Sequence, residues 1–150
     1  MNINKTIIYT DGGCTGNPGP GGWAAVILTE GKEYRLSGGE PSTTNNKMEL
    51  NAVIQALKFL LANDIPRASI EMHTDSQYVQ KGITQWVDGW IKKGWVTAAK
   101  KPVKNKEYWQ ELKGLDDELK PEWNWVKAHA GNHYNEECDS MVEAERLKFK

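Results

Sequence analysis

Thr6-Ile7-Ile8-Tyr9-Thr10-Asp11-Gly12-Gly13-Cys14-Thr15-Gly16-Asn17-Pro18-Gly19-Pro20-Gly21-Gly22 opens as an apolar run and closes in turn formers. Residues 6–10 predict a buried strand, and the Gly- and Pro-rich stretch predicts turns. Asp11 stands at the junction, where glycines let backbone or ligand approach a carboxylate closely. Ser69-Ile70-Glu71-Met72-His73-Thr74-Asp75 repeats the arrangement, again ending in Thr-Asp. Two strands that each deliver an aspartate at one end point to a metal site. Either aspartate alone is equally at home capping a turn or a helix.

Outward from these stretches the elements follow in order. Residues 23–29 and 32–37 read as strands, forming with the first an antiparallel meander. A helix is expected over 46–62, with Asn46 and Glu49 in a capping-box-like spacing. After the strand ending at Asp75 come short helical stretches, a helix over 108–119, a strand over 123–127 and a helix over 135–148. Trp123 and Trp125 alternate on that strand and, with Trp109, are expected in the core. Three strands followed by alternating helix and strand imply a mixed sheet with helices packed against it. The 150 residues suit one domain, 1–150.

The helix tells most about Glu49. Ala52, Val53, Ala56, Leu57, Leu60 and Leu61 form an apolar stripe, and one turn back it reaches Glu49. Helical geometry therefore turns this carboxylate toward the sheet, where a charge needs a partner. The capping box is the competing use of the same side chain. Asp139 lies three residues before Val142 and beside the packed face of the last helix. Asp11, Glu49, Asp75 and Asp139 thus all have reasons to point inward. Such a cluster repels itself unless cations neutralise it, and hard oxygen ligands favour Mg2+ or Mn2+. Two such ions about 4 Å apart activate a water and stabilise the leaving oxygen of a phosphodiester.

Composition bounds the rest. The chain is 39% hydrophobic and 26% charged, ordinary for a globular protein. No apolar stretch approaches a membrane span and no signal-peptide pattern opens it, so a cytoplasmic address and reduced Cys14 and Cys138 are expected. Net charge is -1, but residues 92–106 hold six of the 19 basic residues and none of the 20 acidic ones, making that segment +6 and the remainder -7. Lys92, Lys93, Lys100, Lys101, Lys104 and Lys106 are accompanied by Trp86, Trp90, Trp95 and Trp109. Basic residues interleaved with aromatics suit a nucleic-acid surface. A lysine run can equally be a solvated face, and tryptophan can be core.

Thr10-Asp11-Gly12, Gly16-Asn17-Pro18-Gly19-Pro20-Gly21-Gly22, Thr43-Thr44-Asn45-Asn46-Lys47-Met48-Glu49-Leu50, Thr74-Asp75-Ser76-Gln77-Tyr78-Val79, Gly82-Ile83-Thr84-Gln85-Trp86 and His129-Ala130-Gly131 through Cys138-Asp139 together resemble type 1 ribonuclease H, in its bacterial single-domain form. The resemblance covers essentially the whole chain in order. It implies an α/β fold: a five-stranded mixed sheet, first three strands antiparallel, with helices on both faces. It also implies an endonuclease that hydrolyses the RNA strand of RNA–DNA hybrids with two Mg2+ ions, Mn2+ being a substitute, and leaves 5′-phosphate and 3′-hydroxyl ends.

By the same resemblance, Asp11, Glu49, Asp75 and Asp139 hold metal, and His129 assists proton movement or product departure. Cys14, Asn17, Asn45 and Gln77 face the RNA strand. Thr44 and Asn105 form a DNA-phosphate pocket, Trp86 and Trp90 a channel for deoxyribose, and Lys92, Lys93, Lys100, Lys101 and Lys104 a basic protrusion. A monomer is expected. Gly13, Val96, Ala128 and Asn132-His133-Tyr134 depart from the family's usual residues, which bears on rate, metal preference and affinity. Two other classes compete: a hybrid-binding module without catalysis, which has no need of four carboxylates, and a DNA-directed nuclease or strand transferase of the same metal chemistry.

Overall fold

The computed structural model describes residues 5–63, 69–126 and 133–149. Five strands form one sheet: β1 (Lys5–Cys14), β2 (Gly19–Thr29), β3 (Lys32–Thr43), β4 (Ser69–Thr74) and β5 (Glu122–Trp125). Their order is β3-β2-β1-β4-β5, with β1, β2 and β3 antiparallel and β1, β4 and β5 parallel. The helices are α1 (Asn45–Ala62), α2 (Gln77–Lys81), α3 (Val87–Lys92), α4 (Lys106–Leu119) and α5 (His133–Leu147), and a π-helical turn, Gly82–Trp86, joins α2 to α3. The mixed sheet expected from the sequence is the one observed.

Strand alternation sorts the core into two layers. On one face Ile8, Ala25, Ile27 and Met72 pack with Leu50, Val53, Ile54 and Leu57 of α1 and Trp109 and Leu112 of α4. On the other, Ala24 and Val26 pack with Cys138 and Val142 of α5, while Tyr9 lies against Tyr134. Helices on both faces explain why the central strand β1 is apolar on both sides.

Four local expectations change. β1 does not end at Asp11. It continues to Cys14 because Gly12, Gly13 and Cys14 pair with Trp23, Gly22 and Gly21, so the glycines read as turns are mostly strand. β3 likewise runs to Thr43 to pair with that stretch, through a register shift between Gly19 and Gly21. The first long helix is capped by Thr44, whose Oγ1 accepts from the Lys47 amide at 3.2 Å, and not by an Asn46–Glu49 capping box. Trp125 is not core: it is 45% exposed on β5, a four-residue strand at the edge of the sheet. Trp109 is fully buried and Trp123 half-buried against the main core.

Candidate active site

Register brings the first two carboxylates together. Thr10 pairs with Thr74 in the parallel β1–β4 ladder, so Asp11 and Asp75, the next residue of each strand, are neighbours. β1 runs on past this point, whereas β4 stops and Ser76 caps α2 by accepting from the Val79 amide at 3.1 Å. The Asp75 carbonyl accepts a hydrogen bond from Trp125 Nε1 at 3.1 Å, so the exposed tryptophan braces the strand end.

Gly12 brings the third. A Cβ at that position would lie 2.4 Å from the Met48 carbonyl carbon and 2.5 Å from the Glu49 amide nitrogen, so only glycine lets α1 press onto β1 here. That contact delivers Glu49 over the strand ends. One oxygen each of Asp11, Glu49 and Asp75 then lie within 4.8 Å of one another. Asp139, half-buried on α5, borders the same cavity of about 320 Å3 without joining that close trio.

Crowding has an electrostatic cost. Burial, then the charge of Asp75, pushes the Asp11 carboxyl up to about 8. Burial, then the charges of Asp11 and Asp75, lifts Glu49 well above the ordinary range, and burial raises Asp75. Glu49 Oε1 and Asp75 Oδ1 are buried without a hydrogen-bond partner. Buried polar atoms are seldom left so unless something else is meant to meet them. Hard, orphaned, converging oxygens fit a divalent cation of the magnesium or manganese kind. A larger groove of about 540 Å3, edged by Trp23, Arg35 and Phe59, lies between β3 and the end of α1 and holds no such cluster.

Around this centre a polar network occupies the β1–β2 turn. Asn45 Oδ1 accepts from the Cys14 amide at 2.7 Å, and Asn17 Oδ1 accepts from the Asn45 amide at 3.0 Å and the Cys14 thiol at 3.4 Å. With both side-chain oxygens engaged, the amide NH2 groups of Asn17 and Asn45 are what remains to offer a ligand. Gln77 is exposed at the start of α2.

The aromatic region is built differently. Trp90 packs on Trp86, Trp95 and Trp109 with ring centroids 6.0, 6.3 and 5.5 Å apart. Gly82 permits this packing, since a Cβ there would fall 2.0 Å from the Trp109 ring. The Tyr78 hydroxyl accepts from Trp109 Nε1 and from Asn105 Nδ2, each at 3.1 Å. Asn105 sits in the left-handed region, φ 60°, just before α4. Trp86 is 38% exposed, and Lys92, Lys93, Lys100, Lys101 and Lys104 are all exposed on the end of α3 and the loop beyond it. His129 lies outside the described residues.

Sequence reading missed three participants: Tyr78, Trp125 and Arg146, the last lining the carboxylate cavity from α5. Only tertiary contacts reveal them.

A carboxylate-centred site at the strand ends of this mixed sheet defines the class of protein: a nuclease with the ribonuclease H fold. A family model described as RNase H matches residues 3–146. The chain is 51% identical over 146 residues to ribonuclease H of Ehrlichia ruminantium, covering 97% of each. It is 54% identical over 140 residues to ribonuclease H of Chromobacterium violaceum, covering 93% of this chain and 92% of that one. Among solved structures, LC9-RNase H1, a type 1 RNase H with the type 2 active-site motif, matches with TM-score 0.84 and 29% identity over 100% of this chain and 75% of the other. LC11-RNase H1 in complex with RNA/DNA hybrid matches with TM-score 0.73 and 26% identity, covering 95% and 97%. The chain belongs to the ribonuclease H family as a type 1 bacterial member, an endoribonuclease.

Proposed function

We propose that this enzyme hydrolyses the RNA strand of RNA–DNA hybrids at internal positions, using two Mg2+ ions and leaving 5′-phosphate and 3′-hydroxyl ends. The observation that carries this reading is the convergence of Asp11, Glu49 and Asp75 oxygens within 4.8 Å, two of the side chains having buried oxygens without partners. Asp11, Glu49, Asp75 and Asp139 hold the metal. When bound, the ions supply an acidified water and offset charge on the leaving oxygen. The similarity to LC11-RNase H1, solved with an RNA/DNA hybrid, supports the substrate.

The protein's own groups bind and orient. Asn17, Asn45 and Gln77 carry donors and acceptors suited to a 2′-hydroxyl, and the Cys14 backbone lines the same wall. Thr44 and Asn105 hold a DNA phosphate, Trp86 and Trp90 pack on deoxyribose, and Lys92, Lys93, Lys100, Lys101 and Lys104 neutralise backbone charge without reading sequence. His129 moves a proton or helps product leave. The enzyme acts as a cytoplasmic monomer.

The test is a gel assay with the RNA strand of a hybrid end-labelled, in magnesium, manganese or chelator, beside matched duplex DNA and duplex RNA. Metal-dependent internal cuts in the RNA of the hybrid alone, with 3′-hydroxyl ends, are expected. Tight hybrid binding with no cleavage in either metal overturns the reading in favour of a binding module, and cleavage of duplex DNA overturns it in favour of a DNA-directed nuclease.

A further inference from the structure

The carboxylate cavity contains one cation to which no role has been given. Arg146, in the last turn of α5, lines the cavity that Asp11, Glu49, Asp75 and Asp139 share. Among the described residues it forms no ion pair with any of them, although an arginine fork beside free carboxylates ordinarily closes on one. Its Nε is buried and has no hydrogen-bond partner. Its one side-chain hydrogen bond among the described residues is long, 3.5 Å from Nη1 to Thr15 Oγ1 in the β1–β2 turn.

A guanidinium carries five donors and no acceptor, so most of its hydrogen-bonding capacity is left for a group not yet present. That group must be an acceptor, and in a cavity dominated by carboxylates an anion arrives most readily at the single positive charge. A cation near a helix C-terminus has an ordinary explanation in the helix dipole. The dipole does not account for a side chain reaching across to Thr15 with its Nε buried. Thr15 lies between Cys14 and Asn17, and both of those are tied to Asn45 at the cavity wall.

We propose that Arg146 is a substrate-binding residue whose guanidinium clamps a phosphodiester of the RNA strand beside the linkage that is cut. The assignment rests on the hydrolysis of RNA–DNA hybrids proposed above. It names the RNA strand because Arg146 shares the cavity with the metal-binding carboxylates, whereas none of the groups assigned to the DNA strand, Thr44, Asn105, Trp86 and Trp90, lines it. The planar fork matches two phosphate oxygens at once, which a lysine ammonium does not.

Steady-state cleavage of a hybrid by native enzyme, Arg146→Ala, Arg146→Gln and Arg146→Lys, across a salt series, tests this. Arg146→Ala and Arg146→Gln are expected to raise KM about tenfold, with the loss falling on KM rather than kcat, as for a lost charged hydrogen bond. The slope of log KM against log salt becomes shallower by about 0.7 to 0.9, one phosphate contact. Arg146→Lys keeps the slope and recovers only part of the affinity. A hybrid series with one neutral methylphosphonate stepped along the RNA strand, each beside a control with the same 2′-deoxy sugar and a normal phosphate, identifies the linkage. Native enzyme loses affinity at one position, and Arg146→Gln is insensitive there.

A fall in melting temperature with KM and salt slope unchanged overturns the proposal and leaves a helix-end role. A fall in kcat with unchanged KM also overturns it. If native enzyme fails to cut the hybrid, the proposed function itself is wrong. If native enzyme cuts and Arg146→Gln behaves identically, only the role of Arg146 is wrong.

Discussion

In the carboxylate cleft, buried oxygens of Glu49 and Asp75 lack partners, whereas in the tryptophan cluster the buried indole of Trp109 and the amide of Asn105 both reach the Tyr78 hydroxyl. One region stores repulsion and the other is satisfied. The difference separates two tasks. On the proposed function, a site that must take up ions keeps its ligands uncomfortable without them, and a surface that must hold a duplex is assembled beforehand. The first task costs stability, while the second draws on the same packing that folds the protein.

Asp11→Asn breaks the contrast most severely. Removing one ligand from a group that acts as a unit is expected to cut kcat by about 10^3-fold or more, while hybrid binding, measured by fluorescence anisotropy, persists on the other surface. Normal cleavage by this variant in magnesium would refute the metal assignment.

Gly12→Ala comes next. Its methyl group would sit on the Met48–Glu49 backbone, forcing α1 from β1. A destabilisation of about 1 to 3 kcal/mol is expected from overpacking, together with a loss of kcat larger than the loss of hybrid affinity. Denaturant melts and steady-state kinetics on the same preparation separate the two.

Tyr78→Phe sharpens the comparison from the other side. It removes the acceptor shared by Trp109 and Asn105 while keeping the ring. KM is expected to rise by about threefold to tenfold, the scale of one to two hydrogen bonds, with kcat little changed. In an Asn105→Ala background the same substitution should have little further effect on KM.

The last test concerns pH without metal. Folding lifts Asp11 from 3.8 to about 8. Between those values the folded state keeps a proton that the unfolded chain has released, so this contribution to stability is full below about pH 4 and is lost as pH rises through about 8. In chelator, the melting temperature should therefore fall over that window. Magnesium should flatten the fall, and so should Asp11→Asn. A pH dependence in chelator identical in the native enzyme and Asp11→Asn would mean that Asp11 is not strained in the cleft.

Much of the cleft was legible because it follows local periodicity. Strand alternation and helix pitch are enough to aim Asp11, Glu49 and Asp75 inward, and ladder register does the rest. The capping of α1 was misread because Asn46 and Thr44 both precede an apolar stripe, and only backbone dihedrals decide between them. Trp125 was misread for a different reason. Alternation tells which residues share a face but not whether another layer covers that face, and at the edge of this sheet no layer among the described residues covers Trp125. Tyr78 and Arg146 escaped notice because their partners lie 27 and 131 residues away in sequence. No spacing rule reaches that far.

The seating of α1 on Gly12 has one more consequence. Thr44, Asn45 and Glu49 occupy a single helix end, so on the proposed roles the DNA strand, the RNA strand and the metal centre are all referred to one stiff rod. From Thr44 to Glu49 that rod advances about 7.5 Å, a length fixed by helical pitch. It works as a caliper whose jaws cannot be opened. On the proposed roles, a duplex whose grooves have another width is expected to touch one jaw or the other without laying a phosphate over the carboxylates.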